Sequence, residues 1–231
     1  MINRIFRSIK KPIHYKDDYL EILRRVNAGM LHYGNILCFD YAIKYLPSNN
    51  PIIEIGTFCG LSANVISYFK KTHSKNNILI STDKWSMADK NGTVGKSDIT
   101  FQDYRNYVRE NLTRNLSFFS KGDMPFVFEN TSDDFFIHWS NSKTEYDIFN
   151  RELTLGGKIS FAYIDGNHSY EFAKRDFQNC DKYLENGGFI LFDDSADFSD
   201  WEVKRVIKEV KKNKNYSIVM KNPNYLFQKR K

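Results

Sequence analysis

Residues Phe161-Ala-Tyr-Ile-Asp165-Gly-Asn-His168-Ser-Tyr170 constrain this chain more than any other stretch. A run of apolar and aromatic side chains ends abruptly in an acid, a glycine and an imidazole. Such a run suits a parallel strand covered on both faces. A second stretch, Gly188-Phe-Ile-Leu-Phe192-Asp193-Asp194, repeats the pattern. Ligands of open parallel sheets sit just beyond the carboxyl ends of the strands, so Asp165, His168, Asp193 and Asp194 are expected together on the working rim. Carboxylates at contact distance repel, and burial alone would push protons onto them. A bound cation is the usual way to hold them ionised, so a metal site at Asp165, Asp193 and Asp194 is expected. Taken singly, Asp165 or Asp194 could instead be a helix cap or turn residue.

The rest of the chain supplies the sheet these two strands need. Tyr19-Leu20, Ile22-Leu23, Val26 and Met30, then Phe39, Tyr41-Ala42 and Tyr45-Leu46, recur at helical spacing. Residues 1–50 are therefore read as a helical cap, closed by the turn residues Pro47 to Pro51. A short strand over Ile52 to Ile55 then meets a glycine turn that opens a helix at Leu61. Strands follow at Ile78 to Ile80 and Phe126 to Phe128, with an amphipathic helix over Phe101 to Leu116 between them. Polar, glycine-bearing Trp85 to Asp98 reads as a mobile loop or lid. A helix is expected within Phe135 to Leu155, another from Tyr170 to Leu184 ended by Asn186-Gly187-Gly188, and a third from about Asp200 to Lys214. Tyr216 to Met220 and Tyr225 to Gln228 read as a terminal hairpin. The alternation predicts a doubly wound, Rossmann-like α/β fold with a seven-stranded sheet, mostly parallel but with a C-terminal antiparallel hairpin. Residues 51–231 form the ligand-binding domain in this reading.

The formal net charge of +6 arises partly from basic ends, Arg4 to Lys16 and Lys204 to Lys231. The basic residues of Lys204 to Lys214 lie on the solvent side of an amphipathic helix, and no basic–aromatic interleaving of the single-strand-binding kind is present. No nucleic-acid partner is expected. No apolar run reaches the roughly eighteen residues of a membrane span. Met1 to Lys11 lacks the long apolar core of a secretory signal and is read as a helix packing on the domain. Cys38, Cys59 and Cys180 are far apart and form no C-x-x-C pair. They fit reduced, buried thiols in a cytoplasmic protein.

Glu54-x-Gly56-Thr57-x-x-Gly60 is not the G-x-G-x-x-G that lets a backbone approach a pyrophosphate. A cofactor without phosphate needs no such approach. S-adenosylmethionine is one: Gly56 permits close backbone contact, the helix start near Gly60 favours its carboxylate, and Asp83 stands where this fold type places an acid for ribose hydroxyls. Together, the Glu-Ile-Gly-Thr-Phe-Cys-Gly-Leu-Ser-Ala segment, Tyr-Ile-Asp165-Gly-Asn-His168-Ser-Tyr and Gly-Gly-Phe-Ile-Leu-Phe-Asp193-Asp194 resemble the class I S-adenosylmethionine-dependent O-methyltransferases. They are most similar to the metal-dependent branch with the macrocin-type sugar methyltransferases, and more distantly to catechol O-methyltransferase. The resemblance implies that Asp165, Asp193 and Asp194 ligate Mg²⁺ and that His168 is the general base, with Asp165 beside it in the catalytic pair. It implies cofactor contacts from Glu54, Gly56, Thr57, Gly60, Asp83 and Asp165, with Ser132 near the adenine. Asp89 is the one candidate for a further acid from the loop after the second strand. The acceptor implied is a small molecule, sugar-containing, and nothing in the sequence argues against a homo-oligomer. Two alternatives stay open: a metal-dependent hydrolase or hydroxylase on the same fold, and a non-catalytic module that binds the cofactor or a glycan.

Overall fold

The computed structural model describes residues 12–85 and 92–230. Met1 to Lys11, Asp89 and part of the loop expected over 86–100 lie outside them. Two helices come first, α1 (Asp18–Val26) and α2 (Asn35–Lys44). The Asp17 side chain caps α1 by accepting from the Leu20 amide at 2.9 Å, satisfying one of the orphan donors of the first turn. The remaining elements alternate. They are β1 (Ile52–Ile55), α3 (Leu61–Thr72), β2 (Leu79–Thr82), α4 (Phe101–Phe119), β3 (Phe126–Phe128) and α5 (Ser132–Ser140). After these come β4 (Thr144–Tyr146), β5 (Glu152–Thr154), β6 (Ile159–Ile164), α6 (Tyr170–Tyr183), β7 (Leu184–Phe192), α7 (Val203–Val210), β8 (Tyr216–Lys221) and β9 (Tyr225–Lys229). The main sheet has seven strands in the order β3-β2-β1-β6-β7-β9-β8. All its pairings are parallel except β7 with β9 and β9 with β8. This is the mixed, doubly wound sheet the sequence predicts, terminal hairpin included. No helix among the described residues is long and apolar enough to cross a membrane.

Both sheet faces are covered, which explains the continuous apolar strands. Along β6 and β7, Phe161, Tyr163, Phe189 and Leu191 enter one hydrophobic cluster with α1 to α4, while Ala162, Ile164, Ile190 and Phe192 enter another with α5 to α7. The period-two alternation thus serves two cores.

Three local expectations change. The helix expected within Phe135 to Leu155 is α5, which starts earlier at Ser132 and stops at Ser140, and the chain then forms the β4–β5 hairpin. Asp147 explains the switch. Its carboxylate accepts from the Phe149 and Arg151 amides and from the Arg151 guanidinium, stabilising a turn that competes with helix. The glycines at 187 and 188 do not cap α6, which passes directly from Tyr183 into β7. They belong to an irregularity where the β6–β7 register shifts, with Gly187 at φ 85°. Finally, α7 is shorter than expected, ending at Val210.

Register sets the site. Ile55 pairs with Thr82 and with Ile164, Thr82 with Phe128, and Ile164 with Phe192. The next residue of each strand therefore stands level on one rim: Glu129, Asp83, Gly56, Asp165 and Asp193. The β8–β9 turn folds back against the start of α2, where a Cβ on Gly34 would lie 1.7 Å from the Asn222 carbonyl oxygen. Gly34→Ala must push this turn away. It should lower the urea midpoint by a loss of about 1–3 kcal/mol, typical of overpacking, and an unchanged midpoint would contradict the contact.

Candidate functional site

Two backbone turns meet at the centre of the rim. Gly56, at φ 83°, sits so close to β6 that a Cβ would stand 2.1 Å from the Asp165 carbonyl oxygen. Only glycine satisfies both the left-handed φ and this approach. The turn continues through Thr57 and closes where the Gly60 amide donates to the Thr57 carbonyl at 2.7 Å. Phe58 and Trp85 both hold positive φ, at 46°, a strained conformation for aromatic residues. Asp83 holds them there. Its Oδ2 accepts from the Thr57 and Phe58 amides at 3.0 and 2.9 Å, and its Oδ1 from the Trp85 amide at 2.7 Å. Burial pushes the Asp83 carboxyl up, opposed by these three donors. A carboxylate has about four acceptor positions, so about one remains for a ligand hydroxyl.

Glu54 and Gly60 lie behind this surface. Glu54 is fully buried and accepts from the hydroxyls of Ser62, in the first turn of α3, and Ser81, on β2. It braces strand, turn and helix from within and does not line the cavity. Gly60, at φ 81°, starts α3 against Leu116 of α4. Thr57, Asp83 and Ser132 do line the cavity. Ser132 opens α5 and donates to Asp176 Oδ1 at 2.5 Å.

Beside the turns, the acids and the imidazole come together as expected, but not around a common point. His168 lies between two carboxylates, with Nδ1 3.0 Å from Asp194 Oδ2 and Nε2 3.5 Å from Asp165 Oδ1. Tyr163 donates its hydroxyl to Asp165 Oδ2 at 3.0 Å. Burial, then the neighbouring Asp193 charge, pushes Asp165 well above the usual carboxylate range, and the Tyr163 bond pulls it back. Burial and Asp193 also raise Asp194, which the His168 charge opposes. The Trp201 ring stands edge-on to His168 at 4.8 Å.

Asp193 is occupied differently. Its Oδ1 accepts from the side-chain amides of Asn35, at 2.7 Å, and Asn224. Asn224 also donates to Asn35 Oδ1 and accepts from the amides of Ser195 and Ala196. Neither asparagine was legible as a site residue. They come from α2 and from the β8–β9 turn, and only the folded sheet edge brings them to Asp193. This bears on the expected ion. The oxygen donors have the right chemistry for Mg²⁺, but Asp193 Oδ1 is filled by amides and His168 stands between the other two acids. Among the described residues no three His, Cys, Asp or Glu side chains assemble as an ion-binding group. As arranged, Asp165, Asp193 and Asp194 do not fit a three-carboxylate metal site.

The Gly56 turn, Asp83, Asp165, Asp193, Asp194 and His168 border one cavity system of about 900 Å³, which also reaches Met30 beyond α1 and Phe172 on α6. Its volume suits a nucleoside-sized ligand with a second small molecule. The bracing acid gives a direct test. Burial pushes Glu54 up to about 7 from an ordinary 4.5, so the folded protein holds this proton more tightly than the unfolded chain. That contribution is complete below about pH 4.5 and is lost as the pH rises through about 7, up to about 3 kcal/mol in all. Glu54→Gln should flatten this part of the stability–pH curve measured by urea unfolding. An identical slope in both proteins would place the titration elsewhere.

Solved structures with this fold share little sequence. An O-methyltransferase from Bacillus cereus, solved in complex with SAH, superposes with a TM-score of 0.54 at 15% identity, covering 94% of this chain and 92% of that one. TomG from Streptomyces achromogenes, an O-methyltransferase involved in tomaymycin synthesis and solved with SAM, gives 0.58 at 11% identity over 95% and 92%. CalS11, a calicheamicin methyltransferase, gives 0.57 at 14% over 94% and 95%. At these identities the likeness concerns the fold. In sequence, uncharacterized protein R132 of Acanthamoeba polyphaga mimivirus is 40% identical over 70 residues, 28% of this chain and 32% of that protein, so the similarity spans about a third of this curated relative. Residues 53–195, more than half of the chain, match the family profile described as a methyltransferase domain: the chain belongs to the methyltransferase-domain family.

Proposed function

We propose that the protein transfers the methyl group of S-adenosylmethionine to a hydroxyl oxygen of a small molecule, with His168 as the general base. The observation that carries this reading is the placement of His168. It opens onto the same cavity as the Gly56 turn and Asp83, with the Asp194 carboxylate holding its ring on one side and Asp165 facing it on the other. The solved O-methyltransferases of like fold, two of them with SAM or SAH bound, support the donor and the oxygen acceptor.

Bound S-adenosylmethionine supplies a methyl group on a sulfonium, open to in-line displacement by an oxygen. The chain's part is to present that oxygen and remove its proton. His168 Nδ1–H donates to Asp194 Oδ2, which fixes the tautomer and leaves the Nε2 lone pair as the base. When Nε2 takes the proton, the imidazolium lies between Asp165 and Asp194. The 3.5 Å gap between Nε2 and Asp165 is too long for a hydrogen bond and leaves Nε2 uncommitted. Holding base and acceptor in one geometry supplies much of the acceleration in such reactions. Trp201, 52% exposed beside His168, offers the acceptor a flat apolar face, and that face supports the sugar-containing acceptor expected from the sequence.

A divalent ion is a separate part of the reading. Oxygen donors have the chemistry for one, but as arranged they do not fit it: its entry would require the Asn35 and Asn224 bonds to Asp193 to give way and His168 to leave the gap between Asp165 and Asp194. Assay after EDTA treatment, with and without Mg²⁺ restored, decides it. Loss and recovery of turnover bring the ion into the site; unchanged turnover leaves the proton to His168 alone. For the base itself, His168→Ala should lower kcat by about 10²–10⁴-fold in an assay of S-adenosylhomocysteine release over a panel of hydroxylated acceptors. Calorimetry should show S-adenosylmethionine affinity within about threefold of the parent protein. Full turnover in the variant would remove His168 from the mechanism.

A further inference from the structure

The mechanism leaves one buried acid without a task. Asp176, on α6, is 2% exposed yet borders the cavity. Its Oδ1 accepts from Ser132, and among the described residues nothing donates to its Oδ2. The Arg175 guanidinium pairs with Asp133 at 3.4 Å and its charge acts on Asp176 without a salt bridge to it among the described residues. Asp176 borders the cavity, so an oxygen of its carboxylate that takes no donor from the protein can accept one from a ligand. The partner that fits is an N–H or O–H arriving with a ligand.

Position narrows which one. Asp176 Oδ2 lies 2.9 Å from where a Cβ on Gly166 would be. It is therefore set between the loop after β6, which carries Gly166, and the loop after β3, which carries Ser132. His168 and Asp194 lie on the opposite side, toward β7. A donor whose sulfonium faces His168, and whose ribose reaches the remaining acceptor position of Asp83, turns its base toward the β3 side. The one hydrogen-bond donor on an adenine base is its exocyclic amino group. We propose that Asp176, anchored by Ser132, accepts a hydrogen bond from the adenine amino group of the methyl donor and so selects adenosyl over other nucleosides. This rests on S-adenosylmethionine being the cofactor. Burial pushes the Asp176 carboxyl up to about 6, so at pH 7.5 it is mainly an ionised, acceptor-only group. The methionine ammonium is a competing donor, and the test must separate the two.

Isothermal titration of the full chain at pH 7.5 with S-adenosylhomocysteine and with S-inosylhomocysteine does so. The two compounds share ribose, carboxylate and ammonium and differ at the base, where inosine carries a carbonyl oxygen in place of the amine and a hydrogen on N1. The parent protein should bind the adenosyl compound at least about tenfold more tightly, as for a buried acceptor left facing another acceptor. Asp176→Asn can turn its NH₂ toward that carbonyl and should bring the two affinities within about threefold. Ser132→Ala should shrink the preference in the same direction. An unchanged ratio in Asp176→Asn overturns the assignment, as does an equal loss for both compounds, which would mean that the acid serves the ammonium. If the variant does not fold, the parent protein still decides: equal binding of the two compounds overturns the inference alone, whereas binding of neither overturns the cofactor reading beneath it.

Discussion

Contact between β1 and β6 at their carboxyl ends is the constraint on which the site depends. Their parallel register places Ile55 opposite Ile164, and the two chains leave the sheet side by side, with the Gly56 backbone against the Asp165 carbonyl. If either turn moved outward, the amides that Asp83 holds would lose their alignment, and so would the acids facing His168. The sequence answers this with a glycine at the contact and with a buried Glu54 tying β1 to β2 and α3 through two serine hydroxyls. The cost is a carboxyl held in the interior against its hydration, accepted because the turn cannot be braced from the cavity side without filling it.

Acids crowd this cavity, yet what faces most of them is neutral. Backbone amides hold Asp83, two asparagine amides hold Asp193, a tyrosine hydroxyl holds one oxygen of Asp165, and a serine hydroxyl holds one of Asp176. Of the cations at the cavity, Arg105 is paired with Glu129. Neutral donors fix the geometry of an acid without cancelling its charge, so the field left in the cavity favours a positively charged ligand. A sulfonium donor is such a ligand. The arrangement also explains why three acids on adjacent strands need not imply an ion: their repulsion is relieved by dipoles from distant segments, which no local sequence pattern reveals.

The legible features were those set by neighbours in the chain. The apolar runs at 161–164 and 189–192, the glycines of the first turn, the acids ending the strands and the terminal hairpin all follow from local periodicity and turn chemistry. The features missed depend on partners far away or on competition between local preferences. Asn35 and Asn224 read as ordinary polar residues until the fold brings them 158 and 31 positions along the chain to Asp193. A helix is expected within 135–155, but past Ser140 the Asp147 carboxylate bonds the Phe149 and Arg151 amides and the Arg151 guanidinium in a turn. Gly187-Gly188 has the look of a helix stop and serves a strand irregularity. Ser132, placed near the adenine by resemblance alone, acquires a physical reason in its bond to Asp176.

The flanks then acquire a role in orienting Asp193. The family match ends at residue 195 and starts at 53, so Asn35 and Asn224 fall on opposite sides of it. Both grip the same Asp193 oxygen and bond to each other, and Asn222 in the same turn joins the Ile13 backbone and the Gly34 carbonyl. Helical cap and terminal hairpin are thereby joined over the rim and orient an acid that the shared sheet alone would leave free to rotate. A fold common to many methyltransferases can in this way keep its strand-end acids and still redirect them, because their orientation is decided by polar side chains on elements that vary around it.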